Sequence, residues 1–247
     1  MSLTVTVLGS SGSYAGPNNA CSGYLVRCST PVPTSVWVDC GPGTLSALQR
    51  YIDLEDLDAV VVSHVHPDHF AELPVFANAV RWFLERESVQ VATTAAVADH
   101  TQQLASVAAE VFDIQVMVDG STFGVGGLGF SFVRTDHPVE TLAMRIEGDG
   151  AAVGYTSDTG PDWHPSALGQ GLDLLISESS MHGSDPSSGA KHLRSTEAGR
   201  LASEAGAKRL AITHVPPNCD PAAHQREAAE GFGGPVEYCA PGTVLTV

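Results

Sequence analysis

Short apolar runs rich in Val, Ile and Thr recur along the chain, bounded by Gly, Pro or Asp, and predict strands. They cover residues 3–8, 23–28, 35–39, 59–62, 89–92, 115–118, 129–134, 142–146, 152–156, 172–176, 209–213 and 243–247. Helical spacing occupies 43–51, 72–86, 95–110, 196–205 and 221–231. Within 72–86 the positions Leu73, Phe76, Ala77, Val80, Phe83 and Leu84 follow the i, i+3, i+4, i+7 rule. Early strands run close together and later ones alternate with helices. That mixture predicts sheets covered by helices rather than a purely doubly wound fold. No Pro/Gly/Ser linker divides the chain, so one domain over 1–247 is expected. The stretch 179–190 predicts a surface loop. The segments VVVSH, ending at His64, and LAITH, ending at His214, share a pattern of strand, hydroxyl and histidine.

Composition narrows the classes. The 247 residues are 43% hydrophobic and 16% charged, which excludes disorder. Acidic residues number 28 against 12 basic ones, a formal net charge of −16. Polynucleotides are held mainly by Lys and Arg on phosphates, so no nucleic-acid polymer is expected as a partner. An anionic membrane surface is disfavoured for the same reason. No basic leader precedes the first strand and no run approaches ~20 apolar residues, so no signal peptide or membrane span is expected. Five widely spaced cysteines without a C-x-x-C pair predict reduced thiols and a cytoplasmic protein.

The segment Ser63-His64-Val65-His66-Pro67-Asp68-His69 directly follows an apolar strand. Four potential ligands in six residues cannot all be core residues. If the strand continues, His64 and His66 share one face, and a turn after Pro67 swings Asp68 and His69 to the other side of the same point. Imidazole with carboxylate suits zinc, manganese or iron. His137, Asp158 and His214 each follow another predicted strand. Ligands at strand ends are held on rigid elements, as a metal site requires.

H-x-H-x-D-H followed by His, Asp and His in this order resembles the metallo-β-lactamase superfamily. The resemblance spans nearly the whole chain. It implies an α+β fold, an αββα sandwich of two mixed β-sheets flanked by helices, with two divalent metal ions along one edge. It assigns His64, His66 and His137 to one ion and Asp68, His69 and His214 to the other, with Asp158 bridging. Zinc is the expected metal, with manganese or iron as alternatives. Asp39, in VDCGPG, matches a carboxylate that orients a ligand histidine. His66 replaces the glutamate of the flavodiiron branch, which disfavours redox chemistry.

His192, in KHLRSTE, is similar to a histidine that faces the scissile phosphate in ribonuclease Z-like proteins. Two residues separate it from Ser195, and Ser195 can equally be a helix N-cap. Glu178 matches the carboxylate supporting that histidine. The stretches VTVLGSSGSYAGP, CSGYLVR, GTLSALQR, HPVETLAMRI, HLRSTEAG and AITHVPP resemble actinobacterial cyclic-nucleotide phosphodiesterases of this fold. The Gly-Ser loop 9–13 resembles a small-residue loop beside the site, though alone it is a weak phosphate signal. Packing or surface roles fit Trp163, His164 and His182 better than a place in the pocket.

The resemblance therefore implies hydrolysis of a small anionic phosphodiester, with water activated by the metals. Asp68 would take a proton, and His192, oriented by Glu178, would serve the leaving oxygen. Competing readings are hydrolysis of a phosphotriester, lactone, thioester or sulfate ester, since fold does not fix substrate. A tRNA endonuclease fits less well, because no room for a tRNA-gripping arm separates His137 from Asp158. A non-catalytic metal-binding protein fits least. A homodimer is expected by resemblance.

Overall fold

The computed structural model describes residues 2–183 and 191–247. Most of the stretch 179–190, read from sequence as a surface loop, lies outside the described residues.

The chain builds β1 (Thr4–Gly9), β2 (Gly23–Cys28), β3 (Thr34–Val38), α1 (Thr44–Leu48), β4 (Ala59–Val62), α2 (Pro67–Phe70), α3 (Leu73–Trp82), β5 (Val89–Thr93), α4 (Ala95–Leu104), α5 (Ala108–Val111) and β6 (Phe112–Val116). It continues with β7 (Thr122–Val125), β8 (Leu128–Arg134), β9 (Leu142–Gly148), β10 (Ala151–Tyr155), β11 (Leu174–Glu178), α6 (Ser195–Glu204), β12 (Leu210–Thr213), α7 (Pro221–Phe232), β13 (Glu237–Tyr238) and β14 (Val244–Thr246). Two seven-stranded sheets result, ordered β14-β1-β2-β3-β4-β5-β6 and β13-β12-β11-β10-β9-β8-β7.

Side-chain alternation explains the layers. Val36, Val38 and Val61 point inward to meet Phe130, Phe132, Met144 and Ile146 of the second sheet. Trp37, Val60 and Val62 point outward against Leu73, Phe76 and Val80 of α3. Leu175, Leu210 and Ile212 face Ala202 of α6 and Ala228 of α7. Strands buried on both faces read as continuous apolar runs, which is why β3, β4 and β12 lack polar alternation. Each fully buried Val, Leu or Phe stabilises by about 1.5–3 kcal/mol, so the strand ends are firm anchors. The architecture is the expected αββα sandwich. No helix among the described residues is long and apolar enough to cross a membrane.

Pairing sense sets where the loops emerge. β3 and β4 are parallel, and β1 runs with them because β1 and β3 both pair antiparallel with β2. β8 and β10 both pair antiparallel with β9, while β10, β11 and β12 are mutually parallel. The carboxyl ends of β1, β3 and β4 therefore share one edge of the first sheet. Those of β8, β10, β11 and β12 share one edge of the second.

Several sequence expectations need correction. β4 stops at Val62, so His64 and His66 lie beyond the strand rather than on one of its faces; Pro67 opens the four-residue α2 instead of a simple turn. The helix expected over 95–110 breaks at Ala105, whose backbone is extended, into α4 and α5. β6 begins at Phe112, earlier than expected. Helix α3 ends at Trp82, leaving Phe83 83% exposed instead of on the buried face. Ser195 is the first residue of α6 and not its N-cap; Arg194 holds that position. The short β7 and β13 carried too little apolar pattern to be read.

Candidate metal centre

All seven ligand candidates converge where the carboxyl edges of the two sheets meet. His64, His66, Asp68 and His69 come from the β4–α2 connection. His137 follows β8, Asp158 follows β10 and His214 follows β12. One donor atom from each of His64, His66, His137 and Asp158 lies within 4.8 Å of the others, and Asp68, His69 and His214 form a second such group.

Asp158 stands between the groups and divides its oxygens. Oδ2 is 3.5 Å from His64 Nε2 and 3.8 Å from His137 Nε2. Oδ1 is 3.3 Å from His69 Nε2 and 3.4 Å from His214 Nε2. His66 Nδ1 is 3.1 Å from His137 Nε2, and Asp68 Oδ2 is 3.1 Å from His214 Nε2 and 3.7 Å from His69 Nε2. Donors at about 2.0–2.1 Å from a tetrahedral zinc sit roughly 3.3 Å apart, so these spacings suit a shared ion.

The outward ring nitrogens are held by acceptors or hydroxyls, as ligand histidines usually are. His69 Nδ1 meets Asp39 Oδ2 at 2.8 Å. His137 Nδ1 meets the Lys191 carbonyl at 3.0 Å. His64 Nδ1 lies 3.0 Å from Ser63 Oγ, and His214 Nδ1 lies 2.8 Å from Ser180 Oγ. The inward nitrogens therefore turn towards carboxylates and one another. His64 Nε2, His69 Nε2 and Asp158 Oδ1 are buried with no hydrogen-bond partner. Buried polar atoms without partners are costly, and a divalent cation in each donor group would satisfy them. The donor set fits a metal.

Electrostatics agree. Burial, with the charge of His69 nearby, lowers the His64 pKa to about 4, so its ring is neutral and able to ligate. Burial acts against charge on His69, but Asp158 and Asp39 outweigh it and raise its pKa well above 6.5. Burial likewise opposes ionisation of Asp158, yet His214 and His69 hold its carboxyl well below the usual range. The carboxylates of Asp158 and Asp39 thus favour positive charge beside His69, while burial keeps the His64, His66 and His137 rings neutral.

Asp39 directly follows β3, one residue past the strand end expected to include it, and is fully buried. Its Oδ1 accepts the Ser63 amide at 2.8 Å; its Oδ2 accepts Ser63 Oγ at 3.0 Å and Tyr155 OH at 2.8 Å besides His69. The 9–13 loop also reaches the centre. Ser13, at φ 63°, donates its amide to Asp68 Oδ2 at 2.8 Å. A Cβ at Gly12 would lie 2.5 Å from the His214 carbonyl oxygen, so only glycine lets the loop approach so closely.

His192 sits at the open side. Its ring stacks 5.4 Å from His214 and lies 5.2 Å from His137, centroid to centroid. One ring nitrogen falls within 4.8 Å of donor atoms on Asp158 and His214. Nδ1 meets Glu178 at 3.0 Å. Burial opposes protonation of His192, but Glu178 overcomes it and raises the pKa to about 9. Glu178, fully buried, also accepts the Thr159 amide at 2.6 Å, Ser180 Oγ at 2.6 Å and the Leu193 amide at 3.2 Å. Trp163 packs in the core beneath the second sheet, while His164 and His182 pair with Glu204 and Glu227 at 3.3 and 3.0 Å.

Sequence reasoning missed Ser63 and Ser180, whose hydroxyls meet the candidate ligands His64 and His214, and Tyr155, which donates to Asp39. The available signal was a hydroxyl beside a ligand in SH and a second serine in SESS; Tyr155 gave none.

Residues 34–215 match the beta-lactamase superfamily domain. The chain is 36% identical to the probable metallo-hydrolase YhfI of Bacillus subtilis (strain 168), over 98% of this chain and 99% of that one. The chain belongs to the metallo-β-lactamase superfamily. It is also 25% identical to ribonuclease Z of Methanopyrus kandleri, with 93% of each chain covered. The crystal structure of Bacillus subtilis YhfI superposes with a TM-score of 0.90 at 31% identity over 100% of both chains. A diphosphatase of the PhnP family shares the fold, with a TM-score of 0.78 at 18% identity over 98% of this chain and 97% of that one.

Proposed function

We propose that this protein is a dinuclear metal-dependent hydrolase of small phosphodiesters, with cyclic nucleotides as the leading substrates. The observation that carries it is the divided Asp158 carboxylate between two donor groups, with the His192–Glu178 pair at their open side. We assign His64, His66 and His137 to one ion, Asp68, His69 and His214 to the other, and Asp158 to both. Divalent ions held there supply Lewis acidity to a phosphoryl oxygen and lower the pKa of water. Zinc suits this mixed imidazole and carboxylate set.

The chain's own groups complete the reaction. Asp68 accepts a proton from the attacking water. His192, its Nδ1 tied to Glu178, presents Nε2 with a proton to the leaving oxygen. A protonated imidazole opposite a cationic centre favours an anionic substrate over a neutral ester. The similarity to ribonuclease Z and to the PhnP-family diphosphatase supports phosphate-ester chemistry. A tRNA substrate is disfavoured because β9 and β10 fill the interval between His137 and Asp158 where a gripping arm would have to emerge. Four buried cysteines, Cys21, Cys28, Cys40 and Cys239, keep free thiols, which supports a reducing, cytoplasmic setting.

The test is a substrate panel with metal content measured on the same preparation. It contains 3′,5′- and 2′,3′-cyclic nucleotides, bis(p-nitrophenyl) phosphate, a carboxylic ester, a lactone and a thioester. Turnover confined to the phosphodiesters, with about two ions per chain, is the expected result. Faster turnover of the uncharged esters would overturn the proposal.

A further inference from the structure

Ser180 follows directly after Ser179 beyond β11, and the two hydroxyls part company. Ser179 Oγ turns towards α6, donating to Ser195 Oγ at 2.9 Å. Ser180 Oγ turns into the metal centre, where it lies 2.6 Å from Glu178 Oε2, 2.8 Å from His214 Nδ1 and 3.4 Å from His192 Nδ1. It therefore touches both the residue pair that serves the leaving group and a proposed metal ligand.

A hydroxyl has one proton to give. The Glu178 carboxylate can only accept, and at 2.6 Å it must receive that proton from Ser180. The serine oxygen then meets His214 Nδ1 as an acceptor, so His214 carries its proton on Nδ1. Its Nε2 is then the nitrogen left to offer a lone pair, facing Asp68 Oδ2 and Asp158 Oδ1 at 3.1 and 3.4 Å. With a cation in place of a proton there, all three acceptors are satisfied at one point. Gly12 closes the other side of the ring, since a Cβ there would lie 2.8 Å from His214 Nδ1.

We propose that Ser180 is a positioning residue that fixes His214 in the metal-binding tautomer and ties that ligand to the Glu178–His192 pair. The inference rests on the dinuclear reading above. Ser180 touches no substrate in this assignment; it acts through His214 and Glu178. It also makes the two halves of the machinery dependent on each other. Moving Glu178 releases the Ser180 proton, and the freed hydroxyl can then donate to His214 Nδ1, which places the ring proton on Nε2 and spoils the ligand.

The experiment compares wild-type protein with Ser180→Ala and Ser180→Thr, reading zinc affinity by competition with a chromophoric chelator and no substrate present. Wild-type binding of two ions tests the dinuclear reading by itself. The proposal expects Ser180→Ala to lose one of the two ions with about 10–100-fold weaker affinity, and Ser180→Thr to keep more of it through the retained hydroxyl. Unchanged affinity for both ions in Ser180→Ala would overturn it, as would an equal loss in both variants. A second measurement needs no variant: the ¹⁵N imidazole spectrum of zinc-loaded wild-type protein should show His214 protonated at Nδ1. A proton on Nε2 would sink the proposal even if the alanine variant failed to fold.

Discussion

Asp39→Asn tests the logic of the metal centre most sharply, because it changes charge and one donor without changing shape. Asparagine tolerates the left-handed backbone of this position, φ 58°, which alanine would strain. Asp39 Oδ2 receives Ser63 Oγ, Tyr155 OH and His69 Nδ1, while Oδ1 receives the Ser63 amide. An amide group must put its NH2 on one side or the other. Facing Ser63, it opposes a backbone N–H that cannot accept. Facing His69, it drives that ring to carry its proton on Nε2, where the metal should bind. Neither orientation is neutral. Loss of one charge-assisted hydrogen bond costs about 1.5–3 kcal/mol. For a chain of this size each kcal/mol shifts Tm by about 2–4 °C, giving a fall of about 3–12 °C in the chelated protein. Metal affinity should fall about 10–100-fold in addition, so the Tm gain on adding zinc should shrink too. Thermal scans with chelator and with a fixed zinc excess separate the two effects. Wild-type zinc affinity in Asp39→Asn would show that Asp39 does not set the His69 tautomer.

His192→Ala should lower kcat on phosphodiesters about 10²–10⁴-fold with metal content unchanged; an unaltered kcat would remove His192 from the reaction. Exhaustive chelation should abolish turnover and lower Tm, since binding at 100 times Kd stabilises by about 2.7 kcal/mol, and zinc should restore both; full activity in the chelated protein would dismiss the metal mechanism. Gly12→Ala drives a methyl against the His214 backbone at 2.5 Å, so it should cost about 1–3 kcal/mol and most of the activity; a variant with normal Tm and kcat would show that the 9–13 loop yields freely.

The convergence of the seven candidate ligands was legible in the sequence because these residues cannot all serve as core and fall just past apolar strands. His64, Asp158 and His214 each end a run that the sandwich buries. The supporting shell was legible only where a charge marked it. Asp39 and Glu178 stand out as carboxylates beside strand ends, whereas Ser63 and Ser180 are ordinary turn residues until tertiary contacts place them. Tyr155 reads as one more inward residue of β10, and its hydroxyl finds Asp39 only across the gap between sheets. Local errors had local causes. The β4 pattern could not show that Pro67 starts α2, because a proline fits a turn and a first helical position equally well. β13 is two residues long, below any periodic signal.

The charge of −16 bears on substrate size in a way that salt can read. On the proposed dinuclear reading, two divalent ions would bring about +4 against the carboxylates of Asp68 and Asp158, leaving the pocket locally positive inside an acidic protein. Fields are screened over about 10 Å at 0.1 M salt. A singly charged diester inside the site meets chiefly the local positive charge, whereas a polynucleotide also lays its neighbouring phosphates along the acidic surface. Nucleic-acid binding proteins lose affinity as salt rises, because cationic contacts release counterions. Here the sign should invert. A small diester should be turned over with kcat/KM nearly level between 50 and 200 mM salt, the range over which such binders lose about 10³–10⁵ in affinity. Any cleavage of a structured RNA should be weaker at the lower salt and improve as the repulsion is screened. RNA cleavage that strengthens as salt is withdrawn would place a basic track on this surface and refute the size argument.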